Sequence, residues 1–261
     1  MRTDLSVIVG TGIGGQKELF TGLQMAGFDV QGAQGRMWPR DHYVHFMGRY
    51  VKSGSPGSVS GNAFGEGGHV LTGTDFLLVS DMVYLHEDIS KGLPAKSTYE
   101  QIKEAIVFEG KKHHPDARIH VAPTGFFHGG KGNNHIDMFS LLLPEQKLIL
   151  LDTYHGKGAT SAREYDELAE REGLRLLRYD GSSDGVWYPL NALVLPGNRN
   201  TSIVVVDRKA KSLIDLLKDE GVHLIEVEMP QHSYPGGKIR CQTNTYNPKD
   251  GVVLDRLLEK S

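Results

Sequence analysis

Residues 138–152 read MFSLLLPEQKLILLD, two apolar runs of strand length, MFSLLLP and KLILLD, divided by Pro144, Glu145 and Gln146. Apolar runs flanking a short turn-forming segment predict a β-hairpin. Downstream, Ser161 to Glu172 places Tyr165, Leu168 and Ala169 on one helical face and meets Gly173 as a stop, after which LRLLRYD reads as another strand. The order strand, strand, helix, strand differs from a doubly wound sheet, which sets single strands between helices.

The same grammar recurs along the chain. Helical stripes run over Gln16 to Ala26, from a capping-box pair at Ser97 and Glu100 through Ile102, Ala105 and Ile106, over Arg208 to Glu220, and over Asp250 to Lys260. Between them lie SVIVG, YVHFMGRYV, GHVLTG, DFLLVS, RIHVAP, SIVVVD and HLIEVEM, rich in β-branched and large apolar residues. Five helical stripes in 261 residues recur about every 50 residues, a structural-repeat spacing. The expectation is one α/β domain over residues 1–261, built of quasi-repeats around a centre. A plain doubly wound sheet is the competing fold.

Charge and cysteine content narrow the partners. With 29 Lys plus Arg against 32 Asp plus Glu, a net charge of −3 gives no global attraction to nucleic acid or an anionic membrane. One cysteine excludes an internal disulfide and a multi-cysteine zinc site, and fits a reducing compartment. There is no apolar run of 18 residues and the N-terminal apolar core is too short for a signal peptide, so a cytoplasmic location is expected. SGSPGSVSGN, from Ser53 to Asn62, reads as a loop.

Four polar clusters sit beside these strands: WPRDHYV with Trp38, Arg40 and Asp41, GEGGHVL with Glu66, NNHIDMF with Asn134, His135 and Asp137, and GGKIRCQTN with Cys241. Each has an ordinary reading. Asp41 after Arg40 is a solvated turn pair, Glu66 a loop acid, and a lone Cys a small buried hydrophobe. The functional reading of Cys241 is a nucleophile, approached closely through Gly236 and Gly237, with Lys238 and Arg240 as nearby cations favouring the thiolate, although strand alternation points both away from its neighbours and leaves a bound cationic substrate as the alternative source of charge. In an extended segment, His135 and Asp137 share one face, where burial requires them to satisfy one another or bind something.

The order Arg-Asp, Glu-Gly-Gly, His-x-Asp and a late Gly-Gly-x-x-x-Cys, across residues 38 to 245, resembles the guanidino-group-modifying enzymes of the pentein superfamily. The resemblance implies a pentein five-bladed α/β propeller of ββαβ units with pseudo-five-fold symmetry. It implies Cys241 as nucleophile, His135 as general acid/base and Glu66 as an acid beside it. Asp41 and Asp137 grip the guanidinium, with Arg40, Trp38 and Asn134 alongside in substrate binding. A planar cation with several N–H donors suits surrounding carboxylates, and its weakly electrophilic carbon suits a thiolate. The implied activity is a deiminase or dihydrolase acting on agmatine, arginine or a derivative through a covalent amidino intermediate. No metal or cofactor is expected, and homo-oligomerisation is left open. WPRD and GGKIRCQT look closer to agmatine deiminases, whereas His69 departs from the acid or amide that many relatives carry after Glu-Gly-Gly.

Three other readings compete. An amidinotransferase would use the same residues with an amine as acceptor, and a non-catalytic pentein would keep the fold alone. A metal-dependent hydrolase would draw on HHPD at His113 to Asp116 and on FHGGKGNNHID, although no HExxH spacing is present.

Overall fold

The computed structural model describes residues 4–12, 15–52, 64, 66–85, 87–124, 135–197, 201–230 and 238–259. The chain opens with β1 (Ser6–Gly10), α1 (Gln16–Met25), β2 (Asp29–Ala33), β3 (Tyr43–Phe46) and β4 (Arg49–Lys52). It continues through β5 (Val70–Thr72), β6 (Phe76–Ser80), α2 (Glu87–Ser90), α3 (Tyr99–His113), β7 (Arg118–Ala122), β8 (Ser140–Leu143), β9 (Leu148–Asp152), α4 (Arg163–Glu172) and β10 (Arg175–Tyr179). It closes with β11 (Leu193–Pro196), β12 (Ser202–Asp207), α5 (Lys211–Asp219), β13 (His223–Val227), β14 (Thr243–Tyr246) and α6 (Leu254–Leu258).

Among the described residues these strands form five small sheets, not one continuous sheet. Three have the order β5-β6-β7, β8-β9-β10 and β11-β12-β13, each an antiparallel pair followed by a parallel pair whose crossover carries α3, α4 or α5. A fourth, β14-β1-β2, has the same pattern but borrows its first strand from the C-terminal region. The fifth sheet departs from the expected unit: it is the two-stranded hairpin β3–β4. Its turn residues Met47 and Gly48 have φ of 50° and 70°, the left-handed pair that matches a hairpin's twist. The stripe expected to give a helix over 250–260 yields only α6, whose Leu257 and Leu258 pack with Tyr43 and Tyr50 of this hairpin.

The hairpin at 138–152 forms with Leu143 opposite Leu148, closed by the Lys147 N–H on the Pro144 carbonyl at 3.1 Å. Every residue of β8 and β9 is buried, which accounts for the unbroken apolar runs where a half-exposed hairpin would alternate. On the same logic α3 lays Ile102 and Ile106 against Leu77, Val79 and Val121, and α1 lays Leu19 and Leu23 against Val7, Val9 and Ile225. Among the described residues, no helix is long and apolar enough to cross a membrane.

Three local expectations are corrected. The capping box of α3 is Thr98 with Gln101; Ser97 instead donates its hydroxyl to the Pro94 carbonyl at 2.7 Å. Ile136–Met138 is a 3₁₀ turn, so His135 and Asp137 are not alternate residues of a strand, and β8 begins only at Ser140. β2, β11 and β14 were not anticipated, because DVQGA and TNTY carry too few apolar residues and LVLP is short. In β14 hydrogen bonds stand in for apolarity: the Asn244 side-chain amide donates to the carbonyls of Pro39 and Tyr43 at 3.1 and 2.9 Å.

Candidate active site

The first strand of each sheet, β3, β5, β8, β11 and β14, is entered through a tight turn or bend. The residues two or three positions ahead of those strands are Asp41, Gly68, Asp137, Asn191 and Cys241. Four of these turns converge around one thiol. Cys241, 2 % exposed, packs in an apolar cluster with Ile136, Met138 and Leu142, yet a nitrogen of His135, an oxygen of Asp137 and the Cys241 Sγ all lie within 4.8 Å of one another. The thiol is therefore both buried and beside polar groups.

His135 donates from Nε2 to Glu66 Oε2 at 2.7 Å. Burial alone lowers its pKa, but hydrogen bonds to Cys241 and Glu66 and the charges of Asp137 and Asp41 outweigh it and hold the imidazole well above its usual value. The surroundings thus favour the protonated ring. Burial, then the Asp137 charge, push the Cys241 thiol up to about 11, partly countered by the His135 hydrogen bond. Burial pushes the Asp41 carboxyl up to about 7 despite the nearby His135 cation, with Glu66 and Asp137 adding repulsion.

The Glu-Gly-Gly sequence has a steric reason. A Cβ on Gly67 would stand 2.1 Å from the Arg40 carbonyl oxygen, and one on Gly68 would stand 2.2 Å from His135 Nδ1. The two glycines let the Glu66 turn press against the loop bearing Asp41 on one side and the imidazole on the other. His69 crosses the His135 ring edge-on, with centroids 4.6 Å apart. Glu66, His69 and His135 thus present three donors within 4.8 Å, as do His135, Asp137 and Cys241.

Arg240 and Lys238 do not serve the thiol as expected. Lys238 Nζ reaches Asp207 Oδ2 at 3.4 Å, and Arg240 Nη1 donates to Asp137 Oδ2 at 2.7 Å while Nη2 donates to the Val70 carbonyl at 2.7 Å. The cation adjoining Cys241 is His135. The Arg240 contact also occupies one oxygen of fully buried Asp137, leaving Oδ1 without a hydrogen-bond partner among the described residues; Asp41 Oδ1 is buried in the same condition.

The sequence pointed to Asp41, Glu66, His135, Asp137 and Cys241, and the structure gathers all five. Trp38 packs half-buried against the cluster that holds Cys241, while the Arg40 side chain lines a separate cavity with Arg240. Asn134, Gly236 and Gly237 lie outside the described residues. In HHPD, His114 is a core residue stacked on Phe64 at 5.9 Å, its pKa lowered to about 4 by burial, rather than a solvated helix-end histidine. Residues 127–134 of the other histidine-rich stretch are outside the described residues.

Asn191 was missed. Its Nδ2 donates to Cys241 Sγ at 3.3 Å and to the Asp137 carbonyl at 3.2 Å, while its Oδ1 accepts the N–H groups of Lys238, Arg240 and Cys241 at 3.0, 3.1 and 3.3 Å. One fully buried amide thus holds the cysteine's turn and touches its sulfur. The available signal was positional: Asn191 precedes an apolar run ending in Pro, LVLP, as Asp137 precedes SLLLP.

No protein-family model and no curated protein sequence matches the chain. Solved structures do. DDAH (dimethylarginine dimethylaminohydrolase) from Pseudomonas aeruginosa, solved as a Cys-to-Ser mutant with citrulline, aligns over 92 % of this chain and 98 % of its own at 11 % identity and a TM-score of 0.63. Agmatine deiminase of Enterococcus faecalis aligns over 93 % of each chain at 12 % identity and a TM-score of 0.60. Inosamine-phosphate amidinotransferase from Streptomyces griseus aligns over 87 % of this chain and 78 % of its own at 14 % identity and a TM-score of 0.58. All three are pentein superfamily members, and the likeness assigns the fold.

Proposed function

We propose that this pentein-fold chain is a cysteine hydrolase of guanidino compounds, with residues 1–261 as one catalytic domain and the five sheets disposed as blades about a pseudo-five-fold axis. The observation that carries the reading is a buried thiol flanked by the His135 imidazole and by two buried carboxylate oxygens, Asp41 Oδ1 and Asp137 Oδ1, that lack partners among the described residues. A guanidinium supplies N–H donors and positive charge in one plane, and so satisfies both oxygens.

Substrate binding and nucleophile activation are coupled by charge. In the free site the thiol holds its proton; entry of a cation offsets the burial and the Asp137 charge that keep it there, so the proton passes to solvent as the guanidinium arrives. The thiolate attacks the guanidinium carbon, forming a C–S bond. His135 gives its proton to the departing nitrogen as the C–N bond breaks, leaving an amidino thioether on Cys241. Water then attacks this carbon, neutral His135 takes its proton, the C–S bond breaks, and a ureido product leaves with the thiol restored. Glu66 holds the imidazole in orientation throughout.

The test is incubation with agmatine, arginine and methylated arginines, with and without a primary amine, reading ammonia, methylamines and ureido products by mass spectrometry. A ureido product in water alone supports the hydrolase. Product formed only with the amine supports an amidinotransferase, and no consumption of any guanidino compound overturns the reading.

A further inference from the structure

Behind the catalytic turns the five first strands line a second space. A cavity of about 330 Å³ is bounded by residues of β3, β5, β8, β11 and β14, one strand from each sheet. Two arginines reach it, Arg40 at 8 % exposure and Arg240 at 7 %. Of the carboxylates near them, Asp137 is committed to Arg240, and Glu145 lies exposed at the rim. His45 also lines the cavity, and burial lowers its pKa, which favours a neutral ring. The interior therefore carries about one uncompensated positive charge.

Two buried polar atoms of the lining residues lack partners among the described residues: Arg40 Nε and the hydroxyl of fully buried Ser202. Burial and then the Arg240 charge depress the Arg40 pKa to about 9, as for a guanidinium short of anions. Unsatisfied buried donors cost free energy, and paired guanidiniums suit tetrahedral or planar oxyanions. We propose that this cavity binds a small oxyanion, bearing a phosphoryl or carboxylate group, between Arg40, Arg240 and Ser202. Because Arg240 also grips Asp137, whose Oδ2 lies 3.9 Å from Cys241 Sγ, the bound anion acts on the thiol: negative charge beside Arg240 weakens its hold on Asp137 and disfavours the thiolate.

The test is calorimetric titration of the full chain with sodium phosphate and with sodium succinate, against sodium chloride at matched ionic strength. One-to-one binding of either is expected, and which one binds identifies the head group. Arg40→Gln weakens it tenfold or more and Ser202→Ala about three- to tenfold, one lost hydrogen bond. Ser202→Ala should keep its melting temperature within a few degrees and its basal turnover, and so decides the matter if Arg40→Gln fails to fold. Binding persists in Cys241→Ser, which separates this cavity from the catalytic thiol. Saturating anion slows iodoacetamide alkylation of Cys241 at least twofold in the wild type. No binding beyond chloride, or binding unaltered in Ser202→Ala, overturns the site; an unchanged alkylation rate overturns its coupling to the thiol. None of these readouts depends on which guanidino compound is turned over.

Discussion

Asn191 touches Cys241 twice: its amide nitrogen lies 3.3 Å from the sulfur and its carbonyl oxygen 3.3 Å from the cysteine's backbone nitrogen. The same side chain thus fixes where the thiol stands and donates to it. Asn191→Asp preserves the acceptor for the three N–H groups but replaces the donor by a charge next to Asp137. Turnover and the alkylation rate of Cys241 should each fall about tenfold or more, with the fold retained. Asn191→Ala should add a stability loss of about 1–3 kcal/mol for each buried N–H left unsatisfied, read by denaturant titration. Unchanged alkylation in Asn191→Asp would remove Asn191 from the account of the thiol.

The buried pair Arg240–Asp137 makes a double-mutant prediction. Arg240→Met strands a carboxylate with no exposure and should cost about 3–5 kcal/mol. Adding Asp137→Leu removes the stranded charge and should recover most of that stability while leaving turnover abolished. Urea unfolding of the wild type, both singles and the double measures it, and equal instability of Arg240→Met with and without Asp137→Leu would contradict the pairing.

Asp41 gives a pH dependence whose sign is fixed. Its folded value of about 7 lies above the ordinary 3.8, so between those values the folded chain holds a proton that the unfolded chain has released. Folding stability from this group is therefore full below pH 4 and declines as pH rises to about 7. Asp41→Asn should be more stable than the parent at pH 8, on the order of 1–3 kcal/mol after allowing for solvent relaxation, and equal to it near pH 4. The same change should weaken guanidino-substrate binding by about 1.5–3 kcal/mol, the value of a charge-assisted hydrogen bond. Melting curves across pH, paired with KM, check both halves.

Gly68→Ala tests the close approach to the imidazole. A Cβ 2.2 Å from His135 Nδ1 must displace the ring, so turnover should fall at least tenfold, while over-packing costs about 1–3 kcal/mol of stability. A variant of wild-type activity would mean the ring position is not critical.

The ββαβ grammar was legible where strands are fully buried, as in SLLL and LILLD, because an unbroken apolar run bounded by turn residues leaves little choice. It failed at β14, where Asn244 is buried through hydrogen bonds to the distant backbone of Pro39 and Tyr43, a satisfaction invisible in the local sequence, and Thr243 through its hydroxyl on the Ile239 carbonyl. The fifth unit was over-read for a related reason: the C-terminal stripe is periodic, but its described helix covers only Leu254–Leu258. In the site, residue types with distinctive chemistry stood out in order along the chain. Asn191 did not, because an amide before an apolar run is common and its task is set entirely by contacts to segments about 50 residues away. Arg240 was read as a partner of the thiol from proximity in sequence, whereas its reach takes it to Asp137 and to the carbonyl of Val70.

The central claim is that the reaction passes through the Cys241 sulfur, and the most direct measurement is the turnover of Cys241→Ser on a guanidino compound that the wild type consumes. Serine is nearly isosteric, but its hydroxyl is hardly ionised at neutral pH and lacks a base dedicated to activating it. Turnover should fall by about three orders of magnitude or more while the melting temperature and substrate binding are largely kept. A Cys241→Ser protein that retained wild-type turnover would contradict the account.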